Sequence, residues 1–169
     1  MTCMRILQVN KFLYRKAGAE AYLLSLAELL TRHGNEVALW GTNAKFSNPK
    51  FPLVQYLNFD RREGLWRDLK KLTHMIWSPE ARWKFGKAIR KFRPEIIHIH
   101  NIYHQLSPSI LQVAGRYKIP VVMTVHDYHL INPNYALYDH GAICERHGLA
   151  AIFHRCIKNS FAASFADVL

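Results

Sequence analysis

At 169 residues, 50% hydrophobic and 21% charged, the chain has the composition of a single globular domain rather than of a disordered or fibrous protein. Its longest apolar stretch, residues 21–30, is broken by Ser25 and Glu28, so no membrane span is expected. The charge is lopsided: 23 Lys and Arg face 12 Asp and Glu, for a net +11.

Met1-Thr2-Cys3-Met4 leads straight into the first apolar run, which argues against a secretory signal. Three cysteines, an odd number, fit reduced thiols and a cytoplasmic location. Cys3 reads as a core packing residue. The run at 6–9 ends in Asn10 and is expected to be a strand. A loop through Arg15-Lys16-Ala17-Gly18 then feeds a helix over about 19–32, with Tyr22, Leu23, Leu26, Leu29 and Leu30 on its apolar stripe. His33-Gly34 supplies the stop, a cationic last turn followed by a glycine suited to left-handed backbone. Residues 36–40 form the second expected strand, and 54–57 a short third.

A helical block follows, interrupted at Ser78-Pro79, because proline favours the first helical turn. Phe92-Arg93-Pro94 closes it ahead of a strand at 96–99, which ends in His100-Asn101. A short helix is expected at 109–117, and a strand at 121–125 that ends in His126-Asp127. A long loop rich in Asn, Tyr, His and Gly comes next, and 159–169 looks helical. The runs at 6–9, 96–99 and 121–125 are continuously apolar or β-branched, the signature of buried parallel strands. The alternation of elements predicts an α/β fold: a doubly wound, mostly parallel sheet with helices on both faces and right-handed crossovers. Ligands of such sheets bind outside the carboxyl ends of the strands, so the polar residues there suggest one wall of a cleft.

Residues 61–93 concentrate the charge, with eleven basic and three acidic residues, and carry Trp66, Trp77, Trp83, Phe85 and Phe92. Three readings fit: a solvated helical face whose aromatics enter the core, an anionic membrane surface, or nucleic acid. Lys70, Lys71, Lys87 and Arg90 would meet the membrane, and nucleic acid is the least favoured partner because no recognised motif accompanies the charge.

Taken in order, Asn10, Ala17-Gly18-Ala19-Glu20, His33-Gly34 with Glu36-Val37, Ile97-His98-Ile99-His100-Asn101 and Thr124-Val125-His126-Asp127 resemble the amino-terminal domain of the family-4 retaining glycosyltransferases. Tyr128 to Asn134 with Pro133, then Cys144-Glu145-Arg146, extend the resemblance to essentially the whole chain. It implies half of a GT-B architecture, a Rossmann-like domain that mainly holds the acceptor. It also implies a carboxy-terminal donor-binding domain with a Glu-x7-Glu motif; that domain is expected to be absent here, and the chain alone is not expected to turn over. The implied function lies in cell-surface polysaccharide or lipid-linked saccharide synthesis. A nucleotide-diphosphate sugar would be the donor, no cofactor would be required, and the protein would sit in the cytoplasm, peripherally on the inner membrane face. The alternative is a non-catalytic glycan- or membrane-binding module.

The resemblance makes Ala17, Gly18, Ala19 and Glu20 the donor phosphate loop, where a helix amino terminus offers N–H groups and a positive dipole end. His126 would face the transfer centre, with Asp127 orienting its ring or accepting a proton from the acceptor. His100, Asn101 and Tyr103, with His104 behind them, would recognise acceptor hydroxyls; Asn10 and Lys11 at the end of the first strand would join the acceptor side, with Lys11 either meeting a phosphate of a lipid-diphosphate acceptor or simply solvated. His98 shares a strand face with His100 and is expected to be the deeper, satisfied core histidine. Cys144, His147, His154 and Cys156 have the residue types of a zinc site, but the ligand spacing is tight and incidental thiols are favoured over metal.

Overall fold

In the computed structural model the apolar runs become five parallel strands. The structure describes residues 3–42, 51, 53–57, 77–103, 106–130, 132, 134–139 and 141–143. The chain divides into two units, Met1–Thr124 and Val125–Leu169.

In the first unit the elements run β1 (Arg5–Val9), α1 (Gly18–Arg32), β2 (Glu36–Thr42), β3 (Leu53–Leu57), α2 (Pro79–Phe92), β4 (Ile96–Ile99), α3 (Ile110–Arg116) and β5 (Val121–Met123). The strand order is β3-β2-β1-β4-β5, with every neighbouring pair parallel. Helices lie on both faces, so the α/β doubly wound expectation holds. The order reverses between β1 and β4, the point where open sheets of this kind form a crevice at their carboxyl ends.

Strand alternation divides the core in two. Leu7, Val9, Ala38, Trp40, Ile97 and Ile99 point to the face covered by α2 and α3, where Phe85 and Trp40 place their rings 4.7 Å apart. Ile6, Val37 and Leu39 point to the other face, packing with Leu23, Leu24 and Ala27 of α1. Full burial of a Leu, Ile or Phe side chain is worth about 1.5–3 kcal/mol, so these two layers dominate the stability of the unit.

The helix ends follow their residues. Ser78 caps α2 by accepting from the Ala81 N–H (3.2 Å), with Pro79 in the first turn as expected. Arg93 closes α2 in the left-handed region (φ 53°) and returns its N–H to the Ile89 carbonyl at 2.7 Å. Gly34, at φ +83°, ends α1 where a side chain would be strained.

Several expectations need correction. The buried face of α1 is Glu20, Leu23, Leu24 and Ala27, whereas Tyr22 and Leu29 are about half exposed at 47% and 49%. The last strand of the sheet stops at Met123 rather than 125 and is not buried, since β5 pairs only with β4 among the described residues. Cys3 is exposed, not a core residue. The short helix begins at Ile110, one residue later than expected.

In the second unit the polar loop contains a hairpin that its composition did not announce: β6 (Tyr138–Asp139) pairs antiparallel with β7 (Ala142–Ile143). Gly141 turns it at φ +84°. The expected helix at 159–169 lies outside the described residues, as does the part of the helical block before Trp77.

Candidate functional site

The carboxyl ends of β1 and β4 are tied together by one side chain. Asn10, fully buried, accepts the Asn101 N–H at Oδ1 (3.0 Å) and donates through Nδ2 to the Phe12 carbonyl at 2.7 Å. The same Nδ2 reaches the Glu20 carboxylate at 3.4 Å. The backbone adds Lys11 N–H to the Asn101 carbonyl (2.8 Å) and His100 N–H to the Val9 carbonyl (2.9 Å). The crevice at the strand reversal is therefore floored by an asparagine clamp.

The start of α1 joins the clamp. Glu20, 3% exposed, folds its carboxylate back onto the Ala17 N–H at 3.0 Å. This is the acidic half of a capping box; Ala17 carries no side-chain acceptor to supply the other half. A carboxylate thus already occupies part of the positive helix end. Gly18 is exposed, and a Cβ there would meet nothing within 4 Å, so the fold itself does not require its glycine. Gly41 differs: a Cβ would lie 2.2 Å from the Asn10 carbonyl oxygen. The bare backbone of β2 at Gly41 lets the clamp residue sit where it does, a role the sequence reading missed.

Behind the clamp a polar row crosses the α1 face of the sheet. His100 Nε2 hydrogen-bonds Gln8 Oε1 at 2.7 Å, and His98 Nε2 hydrogen-bonds Thr124 Oγ1 at 2.7 Å. The two imidazoles lie 4.4 Å apart, and Tyr22 of α1 meets His100 edge-on at 5.9 Å. The expected depths are inverted: His100 is fully buried and His98 half-buried. The cause is coverage, since His100 lies beneath Tyr22 of α1 and beside Gln8. Gln8 and Thr124 are the partners that the sequence reading did not single out; the signal available was a polar residue inside an apolar strand. Gln8 Nε2 has no hydrogen-bond partner among the described residues.

Of the remaining sequence candidates in this unit, Lys11 and Tyr103 are half-buried, and Lys11 Nζ stands 5.9 Å from the Phe12 ring centroid. Lys87 and Arg90 sit on α2, remote in the chain from the clamp. His126 and Asp127 belong to the second unit and are both half-buried. Asp127 Oδ1 accepts the His129 N–H (3.1 Å), which bends the backbone in an Asx-turn. Nearby, Asn134 donates to the Tyr138 carbonyl (3.0 Å) and receives the Ala136 N–H (3.3 Å), so it organises the approach to the hairpin. Lys70, Lys71, His104, Cys144, His147, His154 and Cys156 lie outside the described residues. No described helix is long and apolar enough to cross a membrane.

A parallel sheet with a polar crevice at its order reversal fits many α/β proteins, so family membership was decided by comparison. The sequence profile of Glycosyltransferase Family 4 matches residues 17–158. The chain belongs to glycosyltransferase family 4. The chain is also 29% identical over 156 residues to an uncharacterized 42.6 kDa protein in the cps region of Klebsiella pneumoniae. That match covers 82% of this chain and 41% of the relative, so the chain spans less than half the length of the curated protein it matches. The glycosyltransferase profile begins at Ala17, at the cap of α1, and runs through the end of β4 and the hairpin, whereas β1 and Asn10 precede it.

Proposed function

We propose that this chain is the acceptor-side domain of a retaining, nucleotide-sugar-dependent glycosyltransferase that builds cell-surface polysaccharide or a lipid-linked saccharide. The observation that carries the proposal is the family-4 match over residues 17–158, laid on a parallel sheet whose order reverses at the Asn10–Asn101 crevice. The cps-region relative supports a polysaccharide product. In this reading the donor is a nucleotide-diphosphate sugar of the hexosyl type, no cofactor is required, and this acceptor-side domain does not turn over by itself.

His126 hydrogen-bonds the reacting sugar or positions the acceptor hydroxyl, and Asp127 aids by accepting a proton or orienting the ring. His100, Asn101, Tyr103, Asn10 and Lys11 shape the acceptor side. For the buried His100 and Asn10 this role runs through the shape of the crevice floor rather than through exposed hydrogen bonds. Ala17, Gly18, Ala19 and Glu20 bring backbone close to the donor diphosphate, for which the open space above Gly18 leaves room. The protein works in the cytoplasm at the inner membrane face.

The test is sugar transfer from a panel of labelled nucleotide sugars to membrane extracts, using the product of the complete gene. His126→Ala and Asp127→Asn each lower kcat by about 100-fold or more, while Gly18→Val raises the donor KM and leaves the melting temperature in place. Transfer undiminished in both the His126 and the Asp127 variant would remove the catalytic assignment. Saccharide binding with no transfer from any donor would leave a binding module instead.

A further inference from the structure

Between α2 and α3 runs a groove of about 470 Å³, within the range of small-ligand sites. Its α2 wall is Arg82, Trp83, Gly86 and Arg90, which recur at every third or fourth position and so share one stripe of the helix. From Arg82 to Arg90 that stripe rises about 12 Å, which makes the groove a trough rather than a pit. Arg116 and Tyr117, at the end of α3, line it as well. Gly86 keeps the middle open: a side chain there would project towards Arg90 Nη1 (3.5 Å), Val113 Cγ1 (3.7 Å) and the Tyr117 hydroxyl (4.0 Å). Two arginines hold the walls in place. Arg82 Nη1 donates to the Ser109 carbonyl (3.1 Å) and to Gln112 Oε1 (2.7 Å), and Arg90 Nη1 donates to the Tyr117 hydroxyl at 2.7 Å. Arg116 is exposed, and its guanidinium has no hydrogen bond or ion pair among the described residues.

Trp77 and Trp83 border the trough and are 46% and 55% exposed. A cation holds one face of each ring, the Arg82 guanidinium carbon 3.9 Å from the Trp77 centroid and Lys87 Nζ 3.4 Å from that of Trp83. The rings are therefore fixed in advance, with one face left for a ligand, and little side-chain freedom is lost when one binds. We propose that this trough is a binding site for an acidic oligosaccharide, a chain of uronate-type sugars, separate from the transfer crevice. The apolar C–H face of a sugar ring buries against the indoles. Uronate carboxylates match the planar fork of the guanidinium groups, Arg116 foremost. No carboxylate or side-chain amide lines the trough among the described residues, so the hydroxyl protons of a neutral sugar would find few acceptors, whereas an anionic one brings acceptors of its own. A nucleoside diphosphate concentrates its charge on two adjacent phosphates. Here three guanidinium groups are spread over two turns of α2 and the end of α3, which suits charge repeated along a chain. The family match makes saccharides the ligand class this chain handles. None of the trough residues belongs to the Asn10–Asn101 crevice, so the site stands apart from the roles proposed for donor and acceptor.

The experiment is calorimetric titration of the chain with tetragalacturonate at low salt, with tryptophan emission as a second readout and neutral maltotetraose as the control. The expected result is saturable binding of tetragalacturonate, at least tenfold tighter than maltotetraose, with a change in indole emission. Arg116→Glu, at an exposed position, weakens binding by about tenfold, the loss of one charge-assisted contact. Arg32→Glu, the same charge change on α1 over the opposite sheet face, has a much smaller effect. Trp83→Ser, also at an exposed position, weakens binding and removes most of the emission change; circular dichroism verifies that each variant is folded. Absence of binding, equal affinity for maltotetraose, or equal effects of Arg116→Glu and Arg32→Glu would each overturn the proposal. So would binding of uridine diphosphate or of phosphatidylglycerol vesicles that depends on Arg116 and Trp83 and that tetragalacturonate does not displace. Loss of sugar transfer in the crevice variants leaves this binding unchanged, so the two proposals fail separately.

Discussion

Replacing Asn10 with alanine tests whether the crevice floor is the clamp described above. The substitution strips the Asn101 N–H of its acceptor and the Phe12 carbonyl of its donor, bonds of 3.0 and 2.7 Å. Asn101 is only 7% exposed, so water does not readily replace the lost partner. An orphaned buried N–H costs about 1–3 kcal/mol, and the lost bond to the half-buried Phe12 carbonyl adds about 1 kcal/mol. The expected loss is thus about 2–4 kcal/mol, or roughly 5–15 °C in melting temperature for a protein of this size. Urea unfolding followed by circular dichroism measures it as a shift in midpoint at constant slope. The Glu20→Ala and double variants complete a cycle. Because Nδ2 and the Glu20 carboxylate are 3.4 Å apart, the coupling is modest, about 0.5–1 kcal/mol. A loss below about 1 kcal/mol for Asn10→Ala would refute the clamp and return Asn10 to a direct ligand role.

Gly41→Ala drives a methyl group to within 2.2 Å of the Asn10 carbonyl oxygen, a backbone atom that cannot rotate away. It lowers stability by about 1–3 kcal/mol in the same urea assay. Gly86→Ala places its Cβ at ordinary contact distances of 3.5–4.0 Å inside a helix, so thermal melting shows a gain of about 0.5–1 kcal/mol. Ser78→Ala removes the cap on the Ala81 N–H and the orientation of the α2 start, costing about 1 kcal/mol by the same measurement.

The element order was legible because each strand is a continuous apolar run and each helix end carries its own chemistry. Ser78-Pro79 opens α2 and Gly34 stops α1, for reasons that need no neighbours. The clamp itself was half legible: Asn10 and Asn101 stood out as polar residues at strand ends. Their mutual hydrogen bond, and the bare backbone at Gly41 that makes room for it, depend on parallel strands brought together from distant parts of the chain.

Burial was the least legible property. In α1 the apolar residues outnumber the sites that the sheet can cover, so periodicity admits more than one buried face. The structure selects Leu23, Leu24 and Ala27, and it buries Glu20 because its carboxylate satisfies the Ala17 N–H. The same logic inverts His98 and His100 and leaves β5 exposed, because depth depends on which element lies over a strand. The sequence by itself determined the α/β class, the order of the elements in the sheet unit and the polar residues that end β1 and β4, since those rest on local propensity and hydrophobic period. Only the tertiary structure decided which polar residues became buried supports and which basic residues formed a groove with tryptophan, since both depend on contacts between segments far apart in the chain.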